Sequence, residues 1–314
     1  MSQVRPEPSR IPRRFLKKLT LQKKALFFFF TFMVILFVTG FELRLLNTRL
    51  LINDIIEKSV DYEAYREYRI SGDALKNAEQ KAEHLIKKYP QLRDISFADT
   101  IGYLTFNMLV WDYDLIANRL VDEATFYHGI GRVASTKGFQ ELYRYNKAIL
   151  SDLKYFPVPR VDSADISYVD SWYGLRTYGG ERKHEGTDLM ASNNQRDFFP
   201  IISITDGTVE KMGWLEQGGY RIGIRSEAGG YFYYAHLSSY APELSIGDSV
   251  IAGQILGLMG DSGYGSEGTI GQFDVHLHFG IYVTSDILGT GEMSVNPYYI
   301  LKLLEKNRTY YGSR

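Results

Sequence analysis

The hydrophobic pattern falls into three regimes. From Ala25 to Phe41 the chain carries no charge and includes four consecutive phenylalanines, Phe27 to Phe30, which leaves no polar face of the kind a core helix keeps. As a helix rising ~1.5 Å per residue, that run reaches ~25 Å, enough to cross a hydrocarbon core when the flanking side chains snorkel. From Leu43 to about Tyr68 the chain is expected to continue outward as a stalk. Apolar residues then recur at helical spacing. Ala74, Ala78, Ala82, Leu85 and Ile86 follow a Ser71-Gly72-Asp73 cap and stop before Pro90. Asp99 is placed to cap a second helix carrying Ile101, Leu104, Met108 and Leu109, and Phe139, Leu142, Tyr143, Ile149 and Leu150 predict a third.

After about residue 160 the period shortens and glycine takes over the punctuation. Six of the 29 glycines precede residue 160, and the other 23 follow it. Short strands are predicted at Thr208 to Met212, Tyr220 to Arg225, Tyr231 to His236, Ser249 to Ile251 and Val275 to Tyr282. Turns fall at Asp206-Gly207, Gly218-Gly219, Gly229-Gly230 and Gly247-Asp248. The expected fold is therefore an all-β C-terminal domain, closed or sandwich-like, behind a mainly α-helical region and one N-terminal transmembrane helix. The boundaries are a basic cytoplasmic tail over 1–24, an anchor over 25–41, a helical stalk or accessory domain over 42–155, a proline-rich linker over 156–164, the β domain over 165–305 and a tail over 306–314.

Charge orients the anchor. Arg5, Arg10, Arg13, Arg14, Lys17, Lys18, Lys23 and Lys24 precede the run against the single acid Glu7, whereas acids and bases mix after it. By the positive-inside rule the N-terminus stays in the cytoplasm and everything beyond about residue 42 lies outside. Val38-Thr39-Gly40 matches a small-residue cleavage site poorly, so the expectation is an uncleaved single-pass anchor in the cell membrane. With 314 residues and 45% hydrophobic content the chain can bury more than one core, and its net charge of −1 gives no reason to expect a nucleic-acid partner. The absence of cysteine removes disulfides, thiol catalysis and cysteine metal sites, so a metal centre here must use histidine and carboxylate.

Four of the six histidines lie in three short motifs of the β domain: His184-Glu185-Gly186-Thr187-Asp188, Tyr234-Ala235-His236-Leu237 and His276-Leu277-His278-Phe279. His84 and His128 stand alone in the helical half and carry no such context. In an extended strand His184 and Asp188 would sit ~13 Å apart, too far for two ligands of one ion with bonds of ~2 Å, so the chain must bend between them, and Gly186 can supply the bend. His276 and His278 are two apart on a predicted strand and share a face, with Leu277 turned to the core. That spacing suits one histidine on a metal and its neighbour beside it, with His236 on an adjacent strand. Two histidines and one aspartate leave a fourth position open, the pattern of catalytic zinc.

Taken together and in this order, the motifs resemble the lysostaphin/LytM-type zinc metallopeptidases, whose marks are a His-x-Gly-x-Asp segment, a Tyr-Ala-His-Leu segment and a closing His-Leu-His-Phe. The likeness covers about residues 165 to 300 and includes Asp206-Gly207-Thr208-Val209 and the stretch Gly247 to Gly257. The resemblance implies a duplicated hybrid motif in the β domain. It also implies Zn2+ held by His184, Asp188 and His278, with His236 and His276 as the unliganded catalytic pair. Of these two, His276 is the favoured base because it shares a strand face with His278. Tyr178, just before the first motif, is a candidate substrate-binding residue able to donate to an oxyanion. Arg176 and Arg182 read first as solvated surface residues and second as contacts for substrate carboxylates.

The implied function is a membrane-anchored extracytoplasmic zinc endopeptidase that hydrolyses peptidoglycan stem or cross-bridge peptides. The competing class is a wall-associated scaffold or activator of another hydrolase. A division or sporulation protein is then an expected partner, in addition to the peptidoglycan peptide and the membrane.

Overall fold

The computed structural model describes residues 13–95, 97–178 and 180–312. The first half of the expected basic tail, residues 1–12, lies outside the described residues, as do Ser313 and Arg314 of the 306–314 tail. Helix α1 (Arg13–Glu57) contains the whole apolar run and the start of the predicted stalk. Its apolar side chains from Leu26 to Phe41 are exposed, and it is long and apolar enough to cross a membrane, a property that a signal sequence shares. Residues up to Asp54 form one compact unit and residues from Ile55 onward form a second.

The second unit begins with α2 (Tyr62–Arg66), then β1 (Arg69–Ile70), α3 (Gly72–Lys88), α4 (Thr100–Val110), β2 (Asp114–Leu115), α5 (Glu123–Val133) and α6 (Lys137–Leu150). The predicted caps set the boundaries. Ser71 Oγ accepts from the Ala74 amide at 3.1 Å, and Asp99 Oδ1 accepts from the Gly102 amide at 2.8 Å. Helix α3 ends where Pro90 opens a 3-10 turn, since proline removes a donor and disfavours helix before it. Helix α5 was not anticipated. Its buried Phe126, Ile130 and Val133 do keep helical spacing, but Gly129 and Gly131 interrupt the run and lower its helical propensity. At the centre of the bundle Asn146 accepts from the hydroxyls of both Tyr65 and Tyr68 at 3.0 Å and donates to Thr105 at 2.9 Å, all buried.

The remaining strands are β3 (Ile166–Ser167), β4 (Leu175–Arg176), β5 (Arg182–Lys183), β6 (Thr187–Ala191), β7 (Pro200–Ile202), β8 (Gly207–Leu215), β9 (Gly219–Arg225), β10 (Tyr231–Tyr240), β11 (Ser249–Val250), β12 (Ile255–Met259), β13 (His276–Thr284) and β14 (Glu292–Val295), followed by α7 (Tyr298–Leu304). Ten of them build one antiparallel sheet in the order β11-β8-β9-β10-β13-β6-β3, with β14 on β13 and with β12 joining β10 to β7. Strands β4 and β5 pair separately.

The helices dock on this sheet. Tyr145 of α6 donates to Ser285 Oγ at 2.8 Å, and Gly230 lets the β9–β10 turn approach Ala148, whose carbonyl would lie 2.3 Å from an added Cβ. Residues 156–159 at the start of the expected linker are packed. Phe156 and Val158 are fully buried, and the Ile202 amide donates to the Pro157 carbonyl at 3.0 Å.

Candidate active site

Strand pairing assembles the site. Residues directly opposite in an antiparallel ladder share a face, and alternate residues along each strand repeat it. His278 of β13 lies opposite Asp188 of β6 on one side and Ala235 of β10 on the other. The face that carries Asp188 and His278 therefore also carries His276, Gly280 and Tyr282 of β13, Tyr231 and Tyr233 of β10, and Arg221 and Gly223 of β9. It forms the floor of a cleft of about 1100 Å³. Leu277 points away and is fully buried, as the alternation requires.

His236 breaks the alternation. By parity it belongs with Tyr234 on the core face, yet it lines the cleft. A bulge makes this possible: β10 slips register between Tyr234 and Leu237, and His236 adopts a left-handed φ of 62°. Bulges commonly re-aim a side chain next to an active site. The ring is held from the other side by the loop after β12, where the Ser262 carbonyl accepts from His236 Nδ1 at 2.8 Å. Gly263 in that loop, at φ 124°, passes close enough that a Cβ would meet His236 Nδ1 at 3.3 Å.

The bend expected between His184 and Asp188 is present at Gly186, and its geometry has a second reason. A Cβ there would lie 2.5 Å from His278 Cε1 and 2.8 Å from the Phe279 carbonyl oxygen, so glycine is what lets the His278 ring pack against this segment. Three donor atoms then converge. His184 Nε2 is 3.1 Å from Asp188 Oδ1 and 3.0 Å from His278 Nδ1, and His278 Nδ1 is 2.9 Å from Asp188 Oδ1. Tetrahedral zinc with bonds of ~2.0–2.1 Å separates its ligands by ~3.3 Å, so the triad fits such an ion without rearrangement.

Outer contacts fix the ligands' orientation. The Ser171 carbonyl sits 3.0 Å from His184 Nδ1; a carbonyl can only accept, so that nitrogen carries the proton and Nε2 is free to ligate. Arg176 donates to the second oxygen of Asp188 at 2.5 Å, so this arginine supports a member of the triad. Burial pushes the Asp188 carboxyl up, but the imidazoles of His184, His278 and His276 around it outweigh that and hold the carboxyl well below its usual range. Burial pushes the His278 and His236 imidazoles down, and His278 falls less far because Asp188, bonded to it, pulls it back up.

His276 is a histidine outside the triad that stands next to it. Its Nδ1 donates to the Asp274 carbonyl at 2.7 Å, so Nε2 bears the lone pair, 3.8 Å from Asp188 Oδ1. Its ring centre is 4.7 Å from that of His236. Tyr178 stacks on Tyr264, with centroids 4.1 Å apart and planes within 3°, and Tyr264 is the ring that faces the cleft.

Sequence reasoning missed Tyr233, whose ring centre is 6.0 Å from that of His278, although counting two back from Ala235 would have found it. It also missed Arg66. This α2 residue is 3% exposed, donates to the Ser294 carbonyl at 2.9 Å, the Ser294 hydroxyl at 2.8 Å and Glu185 at 2.8 Å, and bonds the Tyr173 hydroxyl. It thus ties the helical half to the segment bearing the first metal ligand, and nothing local in the sequence signals it.

The C-terminal region matches the model of peptidase family M23 over residues 182–297. The L-Ala–D-Glu endopeptidase of Bacillus subtilis (strain 168) is 42% identical over 151 residues, 48% of this chain and 44% of the relative. Lysostaphin of Staphylococcus simulans is 36% identical over 115 residues, 36% of this chain and 20% of the relative. The chain thus spans less than half the length of these curated relatives. The crystal structure of a candidate glycyl-glycine endopeptidase lytM from Ruminococcus gnavus ATCC 29149 is 39% identical with a TM-score of 0.60, and the match covers 84% of this chain and 97% of that one. That share is too large for the β domain alone, so the likeness extends into the helices. The chain belongs to peptidase family M23, and its C-terminal half carries the family's catalytic domain with the His184, Asp188 and His278 metal-binding triad intact.

Proposed function

We propose that the chain is a membrane-anchored zinc endopeptidase that cuts peptidoglycan peptides outside the cell. The observation that carries this reading is the convergence of His184 Nε2, Asp188 Oδ1 and His278 Nδ1 within 3.1 Å of one another, beside two histidines whose free nitrogens face the same cleft. Two imidazoles and one carboxylate favour zinc over harder cations. When bound, zinc supplies Lewis acidity toward the scissile carbonyl and makes water more acidic. His276 Nε2, the lone-pair nitrogen of the neutral ring whose Nδ1 donates to the Asp274 carbonyl, takes the proton of the attacking water. His236, with Nδ1 committed to Ser262, offers its Nε2 beside His276 as the second proton site, toward the leaving amine. Tyr178 is proposed as a substrate contact that acts through its stack on Tyr264.

The substrate class rests on the relatives, which are named for L-Ala–D-Glu and glycyl-glycine endopeptidase activity. The topology rests on the stretch Leu26 to Phe41 of α1, apolar and exposed, which eight basic residues precede in the chain. The test is to purify the full chain in detergent, measure its metal, and incubate it with peptidoglycan while recording new amine termini by mass spectrometry. One zinc per chain with chelator-sensitive new termini is the expected result. Zinc without cleavage would replace the peptidase by the scaffold reading.

A further inference from the structure

The cleft is lined by Arg176, Arg182, Lys183, Lys211 and Arg221 on one side of the charge balance and by four acids on the other, and the acids are already engaged. Asp188 is committed to the metal triad and Arg176. Glu185 pairs with Arg66 at 2.8 Å. Glu292 pairs with Arg225 at 2.8 Å and lies 3.7 Å from Lys211, and Asp274 accepts from Asn194 at 3.0 Å. None is left for Arg182 or Arg221.

Their surroundings make this costly. Arg182 Nε and Arg221 Nη1 are buried with no acceptor among the described residues. The side chain of Arg182 reaches only the Tyr264 hydroxyl, at 3.5 Å, and that of Arg221 makes no hydrogen bond or ion pair among the described residues. A buried guanidinium donor without a partner is destabilising, and a carboxylate is the group whose two oxygens match its fork. Both arginines line the cleft that holds the triad, Arg182 beside Tyr264 and Arg221 on the same sheet face as Tyr233. The Tyr233 ring lies on that face beside the metal ligand His278, with ring centres 6.0 Å apart.

We propose that Arg182 and Arg221 form a carboxylate-binding subsite, so that the preferred substrate carries a free carboxylate near the scissile bond and is not a neutral glycyl bridge. The proposal rests on the peptidase reading above and selects between the two substrate chemistries for which the relatives are named. In an alanyl-glutamyl peptide the glutamate joined through one carboxyl keeps the other free to meet the two arginines. A glycyl bridge brings no such group and would leave both guanidinium charges in the cleft without a counter-charge.

The test separates binding from turnover. Full-length protein carrying His276→Ala is loaded with zinc in detergent and titrated calorimetrically with three probes: an alanyl-glutamyl peptide, the same peptide with the free carboxylate converted to carboxamide, and pentaglycine. The carboxylate peptide is expected to bind about 10- to 100-fold more tightly than the other two. That ratio is expected to shrink toward one in Arg221→Gln and Arg182→Gln. Equal affinity for the carboxylate and carboxamide peptides with both arginines present, or an undiminished ratio in both variants, would overturn the proposal. The first comparison needs no altered arginine, so it stands even where a variant misfolds. Absence of hydrolysis by the unaltered chain counts against the peptidase reading alone, because binding is measured without turnover.

Discussion

Gly186 does two jobs that the sequence shows unequally. The need for a bend follows from the four-residue gap between His184 and Asp188, but the need for a bare α-carbon follows from the His278 ring, which arrives from a strand about ninety residues later and packs 2.5 Å from where a methyl would sit. Gly186→Ala is therefore expected to displace His278 and lower zinc affinity by about 10- to 100-fold, the range seen when a group supporting a metal ligand is disturbed. Competition with a chromophoric chelator measures it, and unchanged affinity would mean that His278 can shift freely. The roles of the four histidines separate the same way. His276→Ala is expected to keep zinc and lose hydrolysis by about 10²- to 10⁴-fold, while His184→Ala loses both. Metal analysis beside turnover decides it; equal zinc loss in the two variants would make His276 a ligand. His236 shows the limit of parity rules, because only the bulge in β10 turns it from the core face into the cleft.

At the level of elements, helix α2 matters more than its five residues suggest. Arg66 bonds both ends of the catalytic segment's support: Tyr173, two residues after the Ser171 that holds His184, and Glu185, one residue after His184 itself. Removing a buried arginine also strands the Ser294 carbonyl and hydroxyl that it now satisfies. Arg66→Ala is expected to cost about 3 kcal/mol of folding stability, read as a lower urea midpoint, with weaker zinc binding alongside. A normal midpoint with normal zinc would show that the helical half merely leans on the sheet. The caps of α3 and α4 were legible because a capping side chain and its helix are neighbours in the chain. Helix α5 was obscured by its glycines, and the bonds of Arg66 to Tyr173, Glu185 and Ser294 were invisible because those partners lie more than a hundred residues away.

For the whole molecule, the helical elements after residue 55 and the β sheet make one compact unit, joined by the bond of Tyr145 to Ser285. The placement of α1 predicts a topology. Protease added to intact cells or spheroplasts is expected to degrade the domain after residue 55 while the N-terminal basic segment stays protected. Digestion only after the membrane is broken would put the domain in the cytoplasm and remove peptidoglycan as its substrate.

The sequence by itself determined the apolar helix, the change from helical to strand period near residue 160, the five motif positions and the ligand chemistry. Each of these is local, set by side-chain type and spacing within a few residues. Tertiary structure alone decided the facing of His236, the closeness of His278 to Gly186, the pairing of Arg176 with Asp188 and the docking of Arg66. All of these depend on strand register and on burial between segments distant in sequence, and no local pattern encodes the distance between two parts of a chain that meet only when it folds.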